Sequence, residues 1–330
     1  MRPKTRPIGE FALIARYFAP LSREVPGAYS LTDDAAWVRA EPGLDWVVTS
    51  DAIVSGVHFL PDDPPDLVAR KALRVNLSDL AAKGAAARFY LLDAVLPQDI
   101  EEAWIAGFAS GLAADQAEYG VRLIGGDTTT TPGTLTLAIT ALGQVGTGRM
   151  LTRGGAREGD DVYVSGTIGD AAIGLISLRG GLGRLSAAAS GWLADRYRLP
   201  QPRTLLGPAL LDLAQAAMDV SDGLVADLGH ICETSGLGAV IDEPSVPLSA
   251  AAREAVQTHP ALIESVLAGG DDYEILFTAD PSRRVAVAEL ARRLELPITR
   301  IGAMRSGSGV AVIRADGSER ALDSAGWQHF

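Results

Sequence analysis

Cysteine and lysine are scarce in this sequence, and each scarcity excludes a kind of site. Cys232 is the single cysteine in 330 residues, so an intrachain disulfide and a cysteine-based zinc site are excluded. The three lysines do not lie in the GxxxxGK[ST] pattern of P-loop proteins. The four histidines lack the HExxH spacing, and GxSxG and GxGxxG motifs are absent. Most common hydrolase and nucleotide-binding signatures are therefore missing.

The sequence also has few positively charged residues and no long apolar runs. Lys and Arg number 29 against 41 Asp and Glu, which gives a formal net charge of −12. This charge argues against nucleic acid or an anionic membrane as the main partner. No run approaches the roughly 18 apolar residues of a membrane span, and the basic N-terminus lacks a signal core. We expect a cytoplasmic protein that does not associate with membranes and that needs metal ions to bind phosphorylated ligands.

The length predicts two domains, since one domain typically has about 100–200 residues. Apolar spacing in the first half predicts helices and strands in alternation, beginning with an N-terminal helix and a hairpin. The predicted helices cover 9–19, 66–85 and 100–119, and the predicted strands cover 36–39, 46–50, 89–96, 121–124 and 135–145. This order is typical of an α/β fold.

The pattern restarts near residues 146–148, which predicts a boundary between domains 1–147 and 148–330. The second half again mixes both element types. Its predicted helices cover 170–178, 205–216, 224–235 and 283–295, and its predicted strands cover 160–165, 217–220, 238–242, 274–278 and 309–314. The Gly- and Arg-rich stretch 180–208 is assigned as helical.

Aspartates recur in six short motifs, most of them where a strand or turn is predicted to meet a helix. The motifs contain Asp33-Asp34, Thr49-Ser50-Asp51, Asp79, Gly126-Asp127, Asp219-Val-Ser-Asp222 and Asp271-Asp272. Carboxylates at strand ends beside glycine face a common crevice in α/β proteins. Hard oxygen ligands gathered there suit Mg²⁺, which bridges substrate phosphates. The alternative for any one motif is ordinary turn and helix-cap chemistry.

Asp79, Arg153 and His58 are candidates on separate grounds. Asp79 lies in a predicted helix with Asn76 and Lys83 on the same face, which indicates either a functional polar group or a solvated stripe. Arg153 is a candidate for neutralising phosphate charge. His58, in the segment Gly-Val-His-Phe, contacts a substrate or fills a structural position.

Taken in order, the motifs resemble thiamine-monophosphate kinases. The resemblance is carried by GEFALIARYF, LTDDAAWV, VVTSDAIVSGVHF, KALRVNLSDLAAKGA, LIGGDTT, MLTRGGAREGD, MDVSDGLVADL, GGDDYEILF and AGWQHF, which together span nearly the whole chain. That family belongs to the ATP-binding superfamily that also includes aminoimidazole ribonucleotide synthetase, selenophosphate synthetase and a hydrogenase maturation enzyme.

The resemblance implies an α/β (α+β) fold of two domains. The N-terminal one would have a mixed sheet, bind ATP and several Mg²⁺ ions, and form a homodimer. The C-terminal one would contribute nucleotide and substrate contacts. The implied reaction is phosphorylation of thiamine phosphate by ATP through direct in-line transfer, without a phosphoenzyme and without a catalytic side chain. It would be the final step of thiamine diphosphate synthesis.

The resemblance also implies site residues. The metal ligands would be Asp34, Thr49, Ser50, Asp51, Asp79, Asp127, Asp219 and Asp222. ATP contacts would come from Gly126, Asp127, Arg153 and Ser221, and thiamine phosphate contacts from His58, Asp271 and Trp327. The chain departs from the family pattern at Asp271, where the family has Glu, and at Leu31-Thr32, which replace a usual Gly.

Other functions are compatible with part of this pattern. Sister enzymes of the superfamily share the aspartates, although selenophosphate synthetase would need a reactive cysteine or selenocysteine near the N-terminus. A nucleotide or Mg²⁺ sensor would tolerate loss of the acceptor contacts at His58 and Trp327. A metal-dependent phosphatase would hydrolyse thiamine phosphate without ATP.

Overall fold

The computed structural model describes residues 9–183, 185–322 and 324–327, which form two compact units. The first unit comprises Met1–Leu80 and Ala86–Thr147, and the second unit comprises Ala81–Ala85 and Gly148–Phe330. The basic N-terminal residues and His329 lie outside the described residues. None of the helices in the described ranges has both the length and the hydrophobicity needed to cross a bilayer.

The first unit begins with a helical segment that changes its winding. The predicted helix over 9–19 starts as α1 (Glu10–Leu13), widens to a π-helix over Ile14–Phe18 and tightens to a 3-10 turn over Ala19–Ser22. Pro20 lacks the backbone N–H that a further α-helical turn would need. The element was predicted correctly as helical, but its regular α-helical part is only one turn long.

A four-stranded mixed sheet forms the body of the first unit. Its elements are β1 (Leu44–Val54), α2 (Pro65–Ala82), β2 (Ala86–Pro97), α3 (Glu102–Tyr119), β3 (Arg122–Thr131) and β4 (Thr136–Gly146). The strand order is β1-β4-β2-β3, in which only the β2–β3 pair is parallel. The sheet therefore follows the expected mixed pattern.

The predicted hairpin between residues 36–39 and 46–50 is wrong. Residues 36–39 form no strand, and the Trp37 N–H donates to the Gly27 carbonyl at 3.0 Å. β1 pairs instead along its whole length with β4, so that Leu44 faces Gly146 and Val54 faces Thr136. This pairing joins residues about ninety positions apart, which local sequence patterns do not reveal.

Helix α2 is buried on nearly all sides. Its Ala69, Leu73 and Leu77 follow a spacing of four residues and have no exposed surface. On another side the Arg74 guanidinium donates to the Asp115 carboxylate of α3 at 2.8 Å, and both side chains are buried. Buried polar groups require partners, and this pair satisfies both side chains inside the first unit.

The second unit is built on a six-stranded mixed sheet of order β10-β7-β9-β5-β8-β6. Its strands are β5 (Asp161–Ser165), β6 (Ala216–Asp219), β7 (Gly238–Asp242), β8 (Ile275–Ala279), β9 (Ile298–Arg305) and β10 (Gly309–Ile313). Its helices are α4 (Asp170–Leu178), α5 (Ala187–Arg198), α6 (Leu206–Ala209), α7 (Leu224–Ser235), α8 (Ala250–Thr258), α9 (Leu262–Ala268) and α10 (Arg284–Leu294).

Both faces of this sheet are buried. In β5, Val162 and Val164 belong to one apolar cluster and Tyr163 belongs to another. In β8, Leu276 and Phe277 divide in the same way. Because alternate side chains of a strand point to opposite faces, both faces of these strands are apolar. This explains why they read as continuous hydrophobic runs in the sequence.

Several second-unit elements differ from the sequence predictions. The helix predicted over 205–216 is reduced to α6, and β6 already begins at Ala216. The helix assigned within 180–208 is α5, which Ser186 caps by accepting the Ala189 N–H at 3.2 Å. Helices α8 and α9 and strand β9 were not predicted.

Candidate functional site

Two polar contacts join β1 to α2 in the first unit. The Thr49 hydroxyl donates to the Asp79 carboxylate at 2.5 Å, and the Asp51 N–H donates to the Asn76 side-chain carbonyl at 3.1 Å. A strand residue and a helix residue thirty positions apart thus share one hydrogen bond. The predicted ligands Thr49, Asp51 and Asp79 lie together at this edge of the sheet.

Ser50 lies on the other face of β1. Its hydroxyl is 3.0 Å from the Thr140 hydroxyl of β4, and the residue is exposed. Since side chains alternate along a strand, Thr49 and Asp51 point toward α2 while Ser50 points away. Three adjacent oxygen-bearing residues therefore cannot all present their side chains to one cation.

A cavity in the first unit brings three other predicted residues together. Asp34, Gly126 and Asp127 all line it, together with apolar side chains that include Phe18 and Leu92. A Cβ at Gly126 would lie 1.9 Å from the Leu92 carbonyl oxygen, and the Gly126 φ is +140°. Only glycine allows β3 to approach β2 this closely at the cavity wall.

The predicted oxygen ligands of the first unit form two separate groups. Asp51 is aligned with Ile139, Leu92 and Gly126 across the four strands. Three strand spacings separate the outer strands, about 14 Å between backbones. Asp51 and Asp79 therefore form one group, and Asp34 and Asp127 another. The strands also continue past Asp51 and Asp127, so these residues are not at strand ends as predicted.

His58 lies in a tight turn directly after β1. Its Nδ1 accepts the Val54 N–H at 3.0 Å, and its own backbone N–H donates to the Val54 carbonyl at 2.9 Å. The turn closes through Gly56, whose φ is +82°. These bonds fix the orientation of the imidazole ring and use Nδ1 as an acceptor.

In the second unit, residues 219–223 form a loop on which other predicted segments converge. We call it the DVSDG loop; it follows β6 and precedes α7. The Ser221 carbonyl accepts the Asp271 N–H at 2.9 Å, and the Asp222 carbonyl accepts the Trp327 N–H at 2.9 Å. The predicted ATP contact Ser221 is thus joined directly to the predicted acceptor contact Asp271, and the adjacent Asp222 is joined to the predicted acceptor contact Trp327.

The GGDDYE segment (residues 269–274) reaches this loop in an unusual backbone conformation. Asp271 and Tyr273 have φ values of 74° and 52°, in the left-handed region that costs about 1 kcal/mol or more for residues other than glycine. Between and beyond them, Asp272 and Glu274 are fully buried. Asp271 and Tyr273 themselves are only partly buried.

Buried partners hold the GGDDYE segment in place. The Asp272 carboxylate accepts the Gly169 N–H at 2.7 Å, and burial raises its pKa well above the ordinary value. The Glu274 carboxylate accepts a hydrogen bond from the Ser165 hydroxyl at 2.6 Å. It also accepts hydrogen bonds from the guanidinium groups of Arg196 and Arg203. These buried contacts offset the strain of the segment and fix the position of Asp271.

Sequence reasoning missed Asp227, which lies in the first turns of α7. One of its carboxylate oxygens accepts the N–H groups of Ser221, Asp222 and Gly223 at 3.0, 3.1 and 3.1 Å. Burial and the nearby charges of Asp219 and Asp222 raise the pKa of Asp227 to about 8. Its signal in the sequence was an aspartate between the apolar residues Ala226 and Leu228, inside a motif already recognised for other residues.

One further grouping was also missed. Within the described ranges, one ligand atom each of Asp222, Asp227 and His230 lies within 4.8 Å of the others. Sequence reasoning also missed Asp93. This residue is exposed and is the β2 register partner of the predicted ligand Asp127. Neither Asp93 nor Asp227 stands next to a glycine, the context on which the sequence argument depended.

Arg153 and Lys83 lie near Ala217 of β6 in the second unit. Arg153 is exposed, and the carbonyl of the preceding Thr152 accepts the Ala217 N–H of β6 at 2.9 Å. Lys83 lies beyond the end of α2, and its ammonium donates to the Ala217 carbonyl at 2.9 Å. The predicted common helical face of Asn76, Asp79 and Lys83 is therefore interrupted before Lys83.

The donor chemistry of both units fits Mg²⁺. Every side chain in the predicted ligand set offers oxygen, and Mg²⁺ prefers oxygen ligands. The negative charges of Asp219 and Asp222 repel a negative charge on Asp227, and a bound cation would reduce this repulsion. The separation of the first-unit ligands into two groups also fits several ions better than one.

Comparisons with known proteins agree with this architecture. Residues 32–145 match the family model described as AIR synthase related protein, N-terminal domain, and residues 157–315 match its C-terminal domain. The thiamine-monophosphate kinase of Escherichia coli K12 is 44% identical over 325 residues, covering 98% of both chains. That of Caulobacter vibrioides is 42% identical over 330 residues, covering 99% of this chain and 92% of the relative.

Solved structures are similar over the same extent. The crystal structure of thiamine-monophosphate kinase from Stenotrophomonas maltophilia has a TM-score of 0.83 and 41% identity, covering 92% of this chain and 98% of that one. AaThiL complexed with AMPPCP and TMP has a TM-score of 0.77 and 30% identity, covering 99% and 100%. The chain belongs to the thiamine-monophosphate kinase family, within the AIR synthase related proteins.

Proposed function

We propose that this protein transfers the terminal phosphoryl group of ATP to thiamine monophosphate, forming thiamine diphosphate and ADP. The observation that carries the proposal is the convergence on the DVSDG loop. The loop bearing Ser221 and Asp222 is hydrogen-bonded through its carbonyls to Asp271 and Trp327. A kinase needs donor and acceptor contacts held in fixed register, because positioning supplies much of its rate enhancement.

The relatives support the choice of substrates. Relatives at 42–44% identity over nearly the whole chain are thiamine-monophosphate kinases, and a relative of known structure is complexed with AMPPCP and TMP. In this chain the side chain of Trp327 is 56% exposed, which leaves its ring accessible for stacking on an aromatic ligand. His58 and Asp271 complete the proposed acceptor contacts.

Mg²⁺ is the proposed metal, held by Asp51, Asp79 and Thr49 in one group and by Asp34 and Asp127 in another, with Asp219 and Asp222 from the second unit. Ser50 remains in the proposed set only through its backbone, because its side chain faces away from Thr49. When bound, the ions would supply the positive charge that stabilises the transferred phosphoryl group. Gly126, Arg153 and Ser221 are the proposed ATP contacts.

No side chain is required as a general base in this proposal. The acceptor oxygen belongs to a phosphate monoester, which is largely ionised at neutral pH because its second pKa is near 6. The residues act by binding and orienting the two substrates. Direct in-line transfer without a phosphoenzyme, which the family resemblance implies, is part of the proposal.

The proposal assigns metal and nucleotide binding to residues 1–147 and further nucleotide and substrate contacts to residues 148–330. It includes a homodimer formed through the outer face of the first sheet, where Val48 is 60% exposed. It places the reaction in the cytoplasm, where ATP is available.

Product analysis tests the proposal. The purified protein is incubated with Mg²⁺ and thiamine monophosphate, with and without ATP, and the products are separated by chromatography. Thiamine diphosphate formed only with ATP is the expected result. Free thiamine formed without ATP would identify a phosphatase, and ADP without thiamine diphosphate would direct attention to the acceptors of the sister enzymes.

A further inference from the structure

The Asp227 side chain occupies a costly position beneath the DVSDG loop. The residue is 1% exposed, and burying a carboxyl group is unfavourable unless its oxygens are hydrogen-bonded. Within the described part of the chain, its Oδ1 is buried without a hydrogen-bond partner. An apolar residue at this helix position would avoid that cost. The side chain therefore has a purpose other than packing.

That purpose is indicated by Oδ2. This single oxygen accepts three successive N–H groups, those of Ser221, Asp222 and Gly223, at 3.0–3.1 Å. Gly223 has a φ of +124°, and the loop would otherwise have no regular secondary structure to hold it. Three bonds to one atom fix three consecutive peptide groups at once.

The opposite side of the same peptides holds the other segments. The carbonyls of Val220, Ser221 and Asp222 accept the N–H groups of Tyr273, Asp271 and Trp327 at 2.8–2.9 Å. Close packing leaves little slack, since a Cβ at Gly270 would lie 2.1 Å from the Ser221 carbonyl oxygen. The position of each segment therefore depends on the peptides that Asp227 holds.

We infer that Asp227 is a positioning residue that fixes the DVSDG loop through its acceptor oxygen, and thereby aligns the nucleotide contacts with the acceptor contacts. The inference rests on the proposed function for the identity of the ligands. The geometric part, that one side-chain oxygen orders residues 221–223, is independent of the ligands.

Two substitutions separate the acceptor oxygen from the charge. Asp227→Asn keeps a carbonyl oxygen of the same reach for the three N–H groups, whereas Asp227→Ala removes the acceptor. Cys232→Ala serves as the control, because Cys232 is buried on the same helix and its truncation lowers stability without touching the loop. Circular dichroism confirms that each variant is folded before the comparison.

The first measurement is amide hydrogen exchange of the ligand-free protein. We expect Asp227→Ala to accelerate exchange in peptides covering 221–223 by at least about tenfold, which corresponds to about 1.4 kcal/mol. Asp227→Asn and Cys232→Ala should leave exchange there within about threefold of the wild type. Unchanged exchange in Asp227→Ala, or equal acceleration in Asp227→Asn, would overturn the inference.

The second measurement is the affinity for AMPPCP in the presence of Mg²⁺. It is determined by titration calorimetry in the absence of any acceptor substrate. Asp227→Ala should weaken binding at least about tenfold and Asp227→Asn by less than about threefold. Wild-type affinity in Asp227→Ala would overturn the alignment role. If Asp227→Ala does not fold, the test uses Asp227→Asn alone. Loss of AMPPCP affinity in the folded Asp227→Asn variant would then overturn the alignment role. Failure of the proposed function is distinguishable from failure of this inference. The proposed function is tested by the products that the wild-type protein forms, not by these variants.

Discussion

At the scale of single residues, the hydrogen bond between Thr49 and Asp79 shows how a strand and a helix build a polar site. Asp is a poor helix former, and its position in a buried helix is stabilised by a partner from β1. The family resemblance implied Thr49, Asp51 and Asp79 as metal ligands, and the structure places them close together. The strand predicted over 46–50 already implies that Thr49 and Ser50 face opposite sides, which excludes their side chains from one shared site.

Replacement of Asp79 tests the metal assignment. Asp79→Asn keeps a carbonyl oxygen for the Thr49 hydroxyl but removes the negative charge, so we expect the kcat to fall by at least about 100-fold. The melting temperature should change by less than about 3 °C. Asp99→Asn, an exposed aspartate of the same unit, is the matched control and should retain full activity. Wild-type activity in Asp79→Asn would remove this residue from the proposed metal site.

Replacement of Trp327 tests the stacking contact. Trp327→Ala should raise the KM for thiamine monophosphate roughly tenfold, since stacking on an aromatic side chain contributes about 1–3 kcal/mol. The KM for ATP should change much less. Trp192→Ala, which removes another half-exposed tryptophan of the second unit, should alter neither KM. An equal rise in both KM values would show that Trp327 does not act through the acceptor.

At the scale of elements, local patterns identified most helices and strands but not their partners. The repeated apolar spacing of α2 and α7 predicted these helices closely, and the buried runs predicted β7, β8 and β10. The hairpin predicted at 36–39 is wrong because a turn signal between two apolar runs does not determine whether those runs pair. Strand β9 shows no clear alternation in the sequence, because only Ile301 and Met304 of its eight residues are buried.

The close approach of β3 to β2 gives a prediction at this scale. Gly126→Ala places a methyl group against the Leu92 carbonyl and should destabilise the first unit by about 2–4 kcal/mol. Gly120 also has a positive φ, +70°, but open space around it, so Gly120→Ala should cost only about 1 kcal/mol. Thermal unfolding of the three proteins measures the difference. Equal melting temperatures for the two variants would contradict the predicted contact.

The contacts of Asp161 predict a pH dependence. Hydrogen bonds from Arg284 and Arg300, at the start of α10 and in β9, hold the pKa of Asp161 below its ordinary value of 3.8. A carboxyl group with a lowered pKa in the folded state stabilises the fold above pH 3.8. That contribution is lost as the pH falls through the lowered pKa.

Asp161→Asn should therefore cost about 1–3 kcal/mol at pH 7, with the half-exposed arginines limiting the effect. The difference from the wild type should shrink as the pH is lowered below 3.8. Asp212→Asn, in an exposed pair with Arg149, is the control and should cost less than about 0.5 kcal/mol. Urea unfolding at several pH values measures both variants. A difference that grows on acidification would contradict the assignment.

At the scale of the whole molecule, charge and fold lead to the same requirement. The chain carries a net charge of −12, and its proposed ligands are anionic, so cations must mediate their binding. Each unit contributes oxygen donors to the proposed metal set. The ordered motifs indicated both sets, but the DVSDG contacts depend on residues from positions 219 to 327 that only the folded chain brings together.

Transfer of a labelled phosphoryl group tests the central claim most directly. The protein is supplied with ATP labelled in its terminal phosphate, thiamine monophosphate and Mg²⁺, and the label is measured in thiamine diphosphate and in inorganic phosphate. The account predicts one labelled thiamine diphosphate for each ADP formed, with almost no label in inorganic phosphate. Label appearing mainly in inorganic phosphate, with no labelled thiamine diphosphate, would contradict it.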